Sequence, residues 1–259
     1  MSKSYHVKSI KASKKNYFDC VINKETYTLH TDTVMSYHLL QKPSLTESDF
    51  KAMMRDNSFN DLMQKAINFL GKKHYSKQAL KNALKAYDVS YGVLEQVIVH
   101  LESLGYIDDE KALQLKVDDA LNFELKGPEF LRQKLLKEGF SEALINDQLK
   151  RFKASIQRDK IQTIIQNEAS HLKRYPIQKQ KEKLYNQLRR KGFSHSMIHP
   201  LIDAYINEAK KDSDEEGLIE KRVHQLKNKY NLNDFKEKQK LIQKLMREGF
   251  TYDLIKRQF

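Results

Sequence analysis

Leucines four residues apart recur along the chain, at 131 and 135, at 184 and 188, and at 241 and 245. That interval puts each pair on one face of a helix. Four residues after the second leucine stands a glycine (Gly139, Gly192, Gly249). A phenylalanine follows (Phe140, Phe193, Phe250), then a hydroxyl residue (Ser141, Ser194, Thr251), and six positions after the glycine an isoleucine (Ile145, Ile198, Ile255). Glycine enters the left-handed region that ends a helix, the aromatic packs back, and Ser or Thr can accept the free N–H groups of the next helix. The spelling therefore predicts helix, tight stop and capped helix, three times over, with the leucines and isoleucines in the core.

The glycines are 53 and 57 residues apart. A fourth copy appears 51 residues upstream of Gly139 with Asp88 in the glycine position, which brings Leu80, Leu84, Val89, Ser90 and Leu94 into register. Aspartate tolerates the left-handed conformation better than most residues. Further helical patterns at 58–71, 109–125, 156–173 and 214–230 make each unit three helices. The expected repeats span 58–107, 108–155, 156–212 and 213–259. Units that cannot bury their apolar faces alone stack on their neighbours. The expected fold class is mainly α: tandem three-helix repeats forming an elongated curved array.

Residues 1–57 read differently. In "NYFDCVINKETYTLHT" Phe18, Cys20 and Ile22 alternate onto one face, Asn23 and Lys24 make a polar turn, and Tyr27 and Leu29 resume, which predicts a β-hairpin. "YHVKSIKA" supplies another strand. Asp32 is expected to cap a short helix reaching Leu40, Pro43 to break it, and Thr46–Asp49 ("TESD") to open another helix as a capping box. This small β-hairpin-containing region precedes the repeats.

Composition narrows the function. Hydrophobic residues make up 39% of the 259 and charged residues 31%, which suits small cores under much solvated surface. The net charge of +13 points to an anionic partner: nucleic acid, an acidic protein surface or a membrane face. Cys20 is the single cysteine, so no intrachain disulfide forms, as suits a reducing cytosol. With no signal peptide and no apolar run near the roughly 18 residues of a membrane span, the expected location is cytoplasmic.

The charge is concentrated. Residues 159–212 hold 11 Lys and Arg against 6 Asp and Glu, a balance of +5, whereas 61–108 and 109–158 carry +1 each. Within "HLKRYPIQKQKEKLYNQLRRKG" (171–192) eight cations, Lys173, Arg174, Lys179, Lys181, Lys183, Arg189, Arg190 and Lys191, face one acid, Glu182. These eight are the candidate site for a partner or DNA. Tyr175 and Tyr185 are placed either to stack on a base or to join the core. A charge run of this kind is either a solvated helix face or a binding face.

Catalytic chemistry finds little support. His195, His199 and Asp203 share a helical face, but a metal site needs a further ligand and a second shell, and Pro200 is expected to kink the helix there. Asp108, Asp109 and Glu110 suit a helix start better than a magnesium or general-base cluster. Cys20 reads as core. No Gly-rich phosphate loop, Ser-centred elbow or paired-Cys motif occurs. No enzyme activity, metal or cofactor is expected.

"LESLGYIDDEKAL" (101–113) followed by "KGPEFLRQKLLKEGF" (126–140) resembles the RecX family of regulatory proteins, in which a Gly-Tyr-hydrophobic-Asp-Asp turn precedes a Lys-Gly and a Leu-rich helix closing in Lys-x-Gly-Phe. The whole chain is similar to that family's long form. Asp88-Val89, in place of a Gly-hydrophobic turn, and Lys72-Lys73-His74 depart from its pattern. The resemblance implies a non-enzymatic modulator of the RecA recombinase that lies in the groove of the RecA filament on DNA. It further implies inhibition of filament growth, strand exchange and RecA-dependent proteolysis, and so a part in homologous recombination and the SOS response. The expected partners are RecA, its filament, and single- or double-stranded DNA, with the protein itself a monomer. The rival reading is a DNA-binding protein with helix-turn-helix-like repeats. Against it, the helices after Gly139 and Gly249 carry Glu142 and Asp147, and Tyr252 and Asp253, which start poorly for a phosphate-facing helix.

Overall fold

The computed structural model describes residues 4–42 and 44–259; Pro43, expected to break the first helix, lies outside the described residues. Strands β1 (Ser4–Ala12), β2 (Tyr17–Ile22), β3 (Glu25–His30) and β4 (Ser44–Thr46) form one antiparallel sheet in the order β3-β2-β1-β4. The predicted hairpin is β2–β3, turned at Asn23 with φ 56°. Cys20, Ile22 and Leu29 sit in its core.

Two local expectations change here. Helix α1 (Thr31–Ser36) is capped by His30, whose Nδ1 accepts the Asp32 N–H at 3.3 Å, and it ends at Ser36 rather than Leu40. Asp32 thus sits one residue inside the helix, where a carboxylate favours the N-terminal dipole. The capping box and the pattern at 58–71 belong to one continuous helix, α2 (Glu47–Leu70), with Thr46 Oγ1 accepting the Asp49 N–H at 3.1 Å. Its first half buries Met53 against the sheet, and its second buries Leu62 and Ala66 with Leu80, Leu84, Leu94, Ile98 and Leu101. Position 57/58 falls inside this helix.

The remaining helices are α3 (Lys77–Leu84), α4 (Tyr91–Ser103), α5 (Asp109–Phe123), α6 (Pro128–Lys137), α7 (Glu142–Leu149), α8 (Ala154–Leu172), α9 (Ile177–Arg190), α10 (His195–Ala209), α11 (Glu215–Leu226), α12 (Phe235–Arg247) and α13 (Tyr252–Lys256). The chain divides into two compact units, Met1–Gln114 with Leu136–Leu144, and Leu115–Leu135 with Ile145–Phe259. The repeat spelling is a core spelling. The six leucines and three isoleucines of the three copies are each at most 1% exposed. No helix among the described residues is long and apolar enough to cross a membrane.

Each repeated glycine has a second reason to be glycine. Gly139, Gly192 and Gly249 have φ of 83°, 87° and 103°, so each ends its helix in the left-handed region. Each also lies against the start of the preceding copy's middle helix. A Cβ on Gly139 would meet Gln78 Cβ of α3 at 2.9 Å, and one on Gly249 would meet Lys179 Cβ of α9 at 2.8 Å. On Gly192 it would overlap the Phe130 amide nitrogen of α6, with the Phe130 Cα at 2.8 Å. There the Gly127 N–H donates to the Lys191 carbonyl at 2.7 Å and the Glu129 N–H to the Gly192 carbonyl at 3.2 Å. The orphan carbonyls ending α9 thus satisfy orphan amides starting α6, and the two opposed helix dipoles meet favourably. Asp88 is not in the left-handed region, contrary to expectation: α3 is capped at Lys85 and the chain leaves through a turn at Tyr87. Asp88 heads the series, so no earlier middle helix stands for it to dock on.

The caps also vary. Ser90 and Ser141 accept the Val93 and Leu144 N–H groups, both at 3.4 Å. Ser194 and Thr251 occupy the cap positions without a side-chain cap bond, and the Ser194 hydroxyl pairs instead with that of Ser196 at 3.1 Å.

One cation is buried in the apolar stripe of a helix. Lys160, 7% exposed, lies beside Ile161 and Ile164 on the apolar stripe of α8. Its ammonium donates to the main-chain carbonyls of Ala120, Leu121 and Glu124 at 3.1, 2.8 and 2.6 Å. It therefore caps the C-terminal end of α5. Desolvation lowers the Lys160 pKa, and the Glu124 charge partly opposes that. Replacing it by Met, similar in length but without donors, leaves these carbonyls unpaired. The expected cost is about 2–3 kcal/mol, read as a lower urea midpoint; an unchanged midpoint would show that water replaces the ammonium freely.

Candidate functional site

Helix α9 buries Ile177, Gln180, Leu184 and Leu188. Positions 179, 183, 186 and 190, spaced four, three and four apart, fall together on another face. With Arg174 and Tyr175 from the turn after α8, and with Glu168 and His171 from the last turns of α8, they line an open groove of about 590 Å³. Arg189 lines it too.

Tyr175 stands in this groove, half-buried against the core beneath. The Lys183 ammonium lies 4.3 Å from its ring centroid and the Arg174 guanidinium carbon 5.1 Å. Both of the groove's acids are engaged. Glu182 accepts from Lys179 at 2.7 Å, and Glu168 accepts from Gln187 Nε2 at 2.8 Å. Arg189 reaches the Phe193 carbonyl at 3.4 Å. Among the described residues Arg174, Lys183 and Arg190 make no ion pair. The groove therefore holds positive charge that its own acids do not neutralise.

The eight predicted cations do not all share the groove. Arg174, Lys179, Lys183, Arg189 and Arg190 line the groove. Lys173 and Lys191, the C-cap residues just past α8 and α9, do not. Lys181, two residues from Lys183 and so about 200° around the helix, pairs with Asp203 Oδ1 at 2.7 Å. Charge counting missed His171, Asn186 and Gln187 because they add no formal charge, and Glu168 because it lies before residues 171–192, on the other helix that lines the groove.

The other candidate residues have structural partners. The Lys181 ammonium bonded to Asp203, with the nearby His199, holds that carboxyl below the usual carboxylate range. His199 Nδ1 lies 2.8 Å from Asp203, and the His195 and His199 rings stack at 5.3 Å. Pro200 lies within α10, which continues past it. Asp108 Oδ1 accepts the Lys111 N–H at 2.9 Å, capping its own helix, while Asp109 Oδ1 accepts the Lys77 N–H at 2.7 Å at the start of α3. Asp214 and Glu215 repeat this pattern on Gly217 at 2.8 Å and on Ile177, starting α9, at 2.7 Å. The acidic pair is thus a device for joining helices. Burial, with a smaller push from Asp19, raises the Cys20 thiol to about 11, so it stays protonated at neutral pH.

A family model described as "RecX, third three-helix domain" matches residues 216–258. A protein named regulatory protein RecX from Streptococcus mutans is 26% identical over 253 residues, covering 96% of each chain. Another so named, from Staphylococcus carnosus, is 25% identical over 248 residues, 90% of this chain and 91% of that one. Among solved structures, a crystal structure of regulatory protein RecX superimposes with a TM-score of 0.60 at 20% identity, covering 77% of this chain and 99% of that one. A crystal structure of RecX from Lactobacillus salivarius gives 0.54 at 21% identity, covering 57% of this chain and 97% of that one. At those identities the superpositions speak for the fold.

Proposed function

We propose, because the chain belongs to the RecX family, that it is a non-enzymatic regulator that binds RecA or RecA–DNA filaments and mostly inhibits their recombinase and coprotease activities. The family membership supplies the regulatory role. The observation that carries the reading at residue level is the groove along α9, whose cations Arg174, Lys183 and Arg190 make no ion pair among the described residues. Such a groove suits the phosphates of filament-bound DNA or an acidic face of RecA. Binding one assembly state more tightly than another shifts the filament equilibrium by the difference in affinity. That mechanism needs a surface and no reacting group. On this reading the protein acts in the cytoplasm, as a monomer on the filament.

Titration of the protein against RecA-coated DNA, bare DNA of the same length and RecA alone tests this. The coated DNA is expected to bind most tightly. Equal affinity for bare and coated DNA, with strand exchange undisturbed, would instead favour a DNA-binding protein with helix-turn-helix-like repeats. Inhibition is also expected to survive extensive chelation and the pair His195→Ala with His199→Ala. Loss of inhibition restored by zinc would assign a metal to that histidine pair.

A further inference from the structure

We infer that the α9 groove grips the sugar-phosphate backbone of nucleic acid without reading or stacking its bases, and that Tyr175 is the positioning residue that holds Arg174 and Lys183 ready for it. The inference rests on the reading of this groove as the partner-binding face and narrows its ligand. Three observations carry it.

The first is the ring itself. An aromatic in a basic groove is the usual platform for a base, but here Lys183 and Arg174 lie over the Tyr175 ring at 4.3 and 5.1 Å. The π surface is already used by the protein's own cations. The second is the lining. Apart from Tyr175 the only large apolar residue there is Leu172, which is 4% exposed. Protein interfaces draw their affinity from aromatic and apolar anchors at a dry centre. This groove offers a partner none.

The third is spacing. Lys179, Lys183 and Arg190 follow one face of α9 over 11 residues, about 16 Å at the helical rise. A nucleic-acid strand presents a charge about every 3.4 Å of duplex axis, so a straight row of this length spans about five phosphates of one strand, which its three cations meet at intervals. Lys179 is shared with Glu182, which leaves Lys183, Arg190 and Arg174 as the principal contacts. Long cationic side chains lose rotamer freedom on binding. Tyr175 removes part of that loss beforehand by holding two of them through cation–π attraction.

The test uses the full chain and three probes of equal charge: an oligo-dT strand, an abasic phosphodiester strand of the same length, and a polyglutamate peptide. The two strands are expected to bind within about twofold of each other and the peptide at least tenfold more weakly. Tyr175→Phe keeps the π face and should bind as the native protein does. Tyr175→Leu should weaken both strands by about threefold to tenfold while leaving the slope of log affinity against log salt nearly unchanged, because the same cations still reach the phosphates. Lys183→Gln, by contrast, should lower that slope by about 0.7, a change that a merely structural role for Tyr175 would not separate from its own. An abasic strand bound tenfold more weakly than oligo-dT would show base stacking and overturn the inference. A peptide bound as tightly as the abasic strand would overturn it in favour of an acidic protein face. In either case inhibition of RecA filaments, measured in parallel, decides separately whether the regulator reading stands.

Discussion

Gly192→Ala is expected to destabilise the protein by about 4 kcal/mol, far into the tail of single substitutions. The left-handed φ of 87° costs a residue with a Cβ about 1–2 kcal/mol. The larger part is contact: the new Cβ would overlap the Phe130 nitrogen and stand 2.8 Å from its Cα. The end of α9 must retreat from the start of α6, and the bonds from Gly127 to Lys191 and from Glu129 to Gly192 go with it, at roughly 1 kcal/mol each. Gly105 isolates the first effect, because its φ is 71° but nothing lies within 4 Å of its Cβ position. Gly105→Ala should cost only about 1–2 kcal/mol. Urea midpoints for the two variants, with hydrogen exchange at the Gly127 and Glu129 amides, check this. Equal losses would mean that the glycine stop is a turn and not a joint.

The second large effect is on binding. Lys183→Glu with Arg190→Glu reverses two unpaired groove cations on the side of α9 away from the buried Leu184 and Leu188, so folding should be untouched. If both meet phosphates, the salt slope for single-stranded DNA falls by about 1.4, and repulsion lowers affinity at low salt by orders of magnitude. Lys72→Glu with Lys85→Glu, two exposed lysines near α3, alters net charge equally and should change affinity little. Lys181→Glu is expected to act on stability instead, since it sets a second carboxylate beside Asp203, where Lys181 now bonds at 2.7 Å. Like losses of affinity from the groove pair and the α3 pair would reduce the groove to general electrostatics.

What the sequence could show follows from what it records. Leu131, Leu184, Ile198 and their counterparts were legible as core because helical spacing reports which side chains share a face. The glycine stops were legible from their chemistry, but their docking was not: Gly192 meets Phe130 across 62 residues of chain, through main-chain atoms common to every residue. Lys160 is hidden for the same reason, because its acceptors are the carbonyls of Ala120, Leu121 and Glu124. A lysine set in an isoleucine stripe was the only sign. The charge cluster of 171–192 was visible as a total. Its division into a groove face with Lys183 and Arg190, and a paired face with Lys181, needed the helical angle and the position of Asp203 on α10. Helix α2 escaped because two apolar patterns facing different cores run on without a breaking residue between them.

The most direct test of the account is the rate of RecA-driven strand exchange in the presence of the native chain and of the Lys183→Glu, Arg190→Glu variant, both shown by circular dichroism to be folded. Strong inhibition by the native protein and its near-complete loss in the variant are expected, with the α3 control inhibiting like the native chain. Full inhibition by the groove variant, or none by the native protein, would contradict the account.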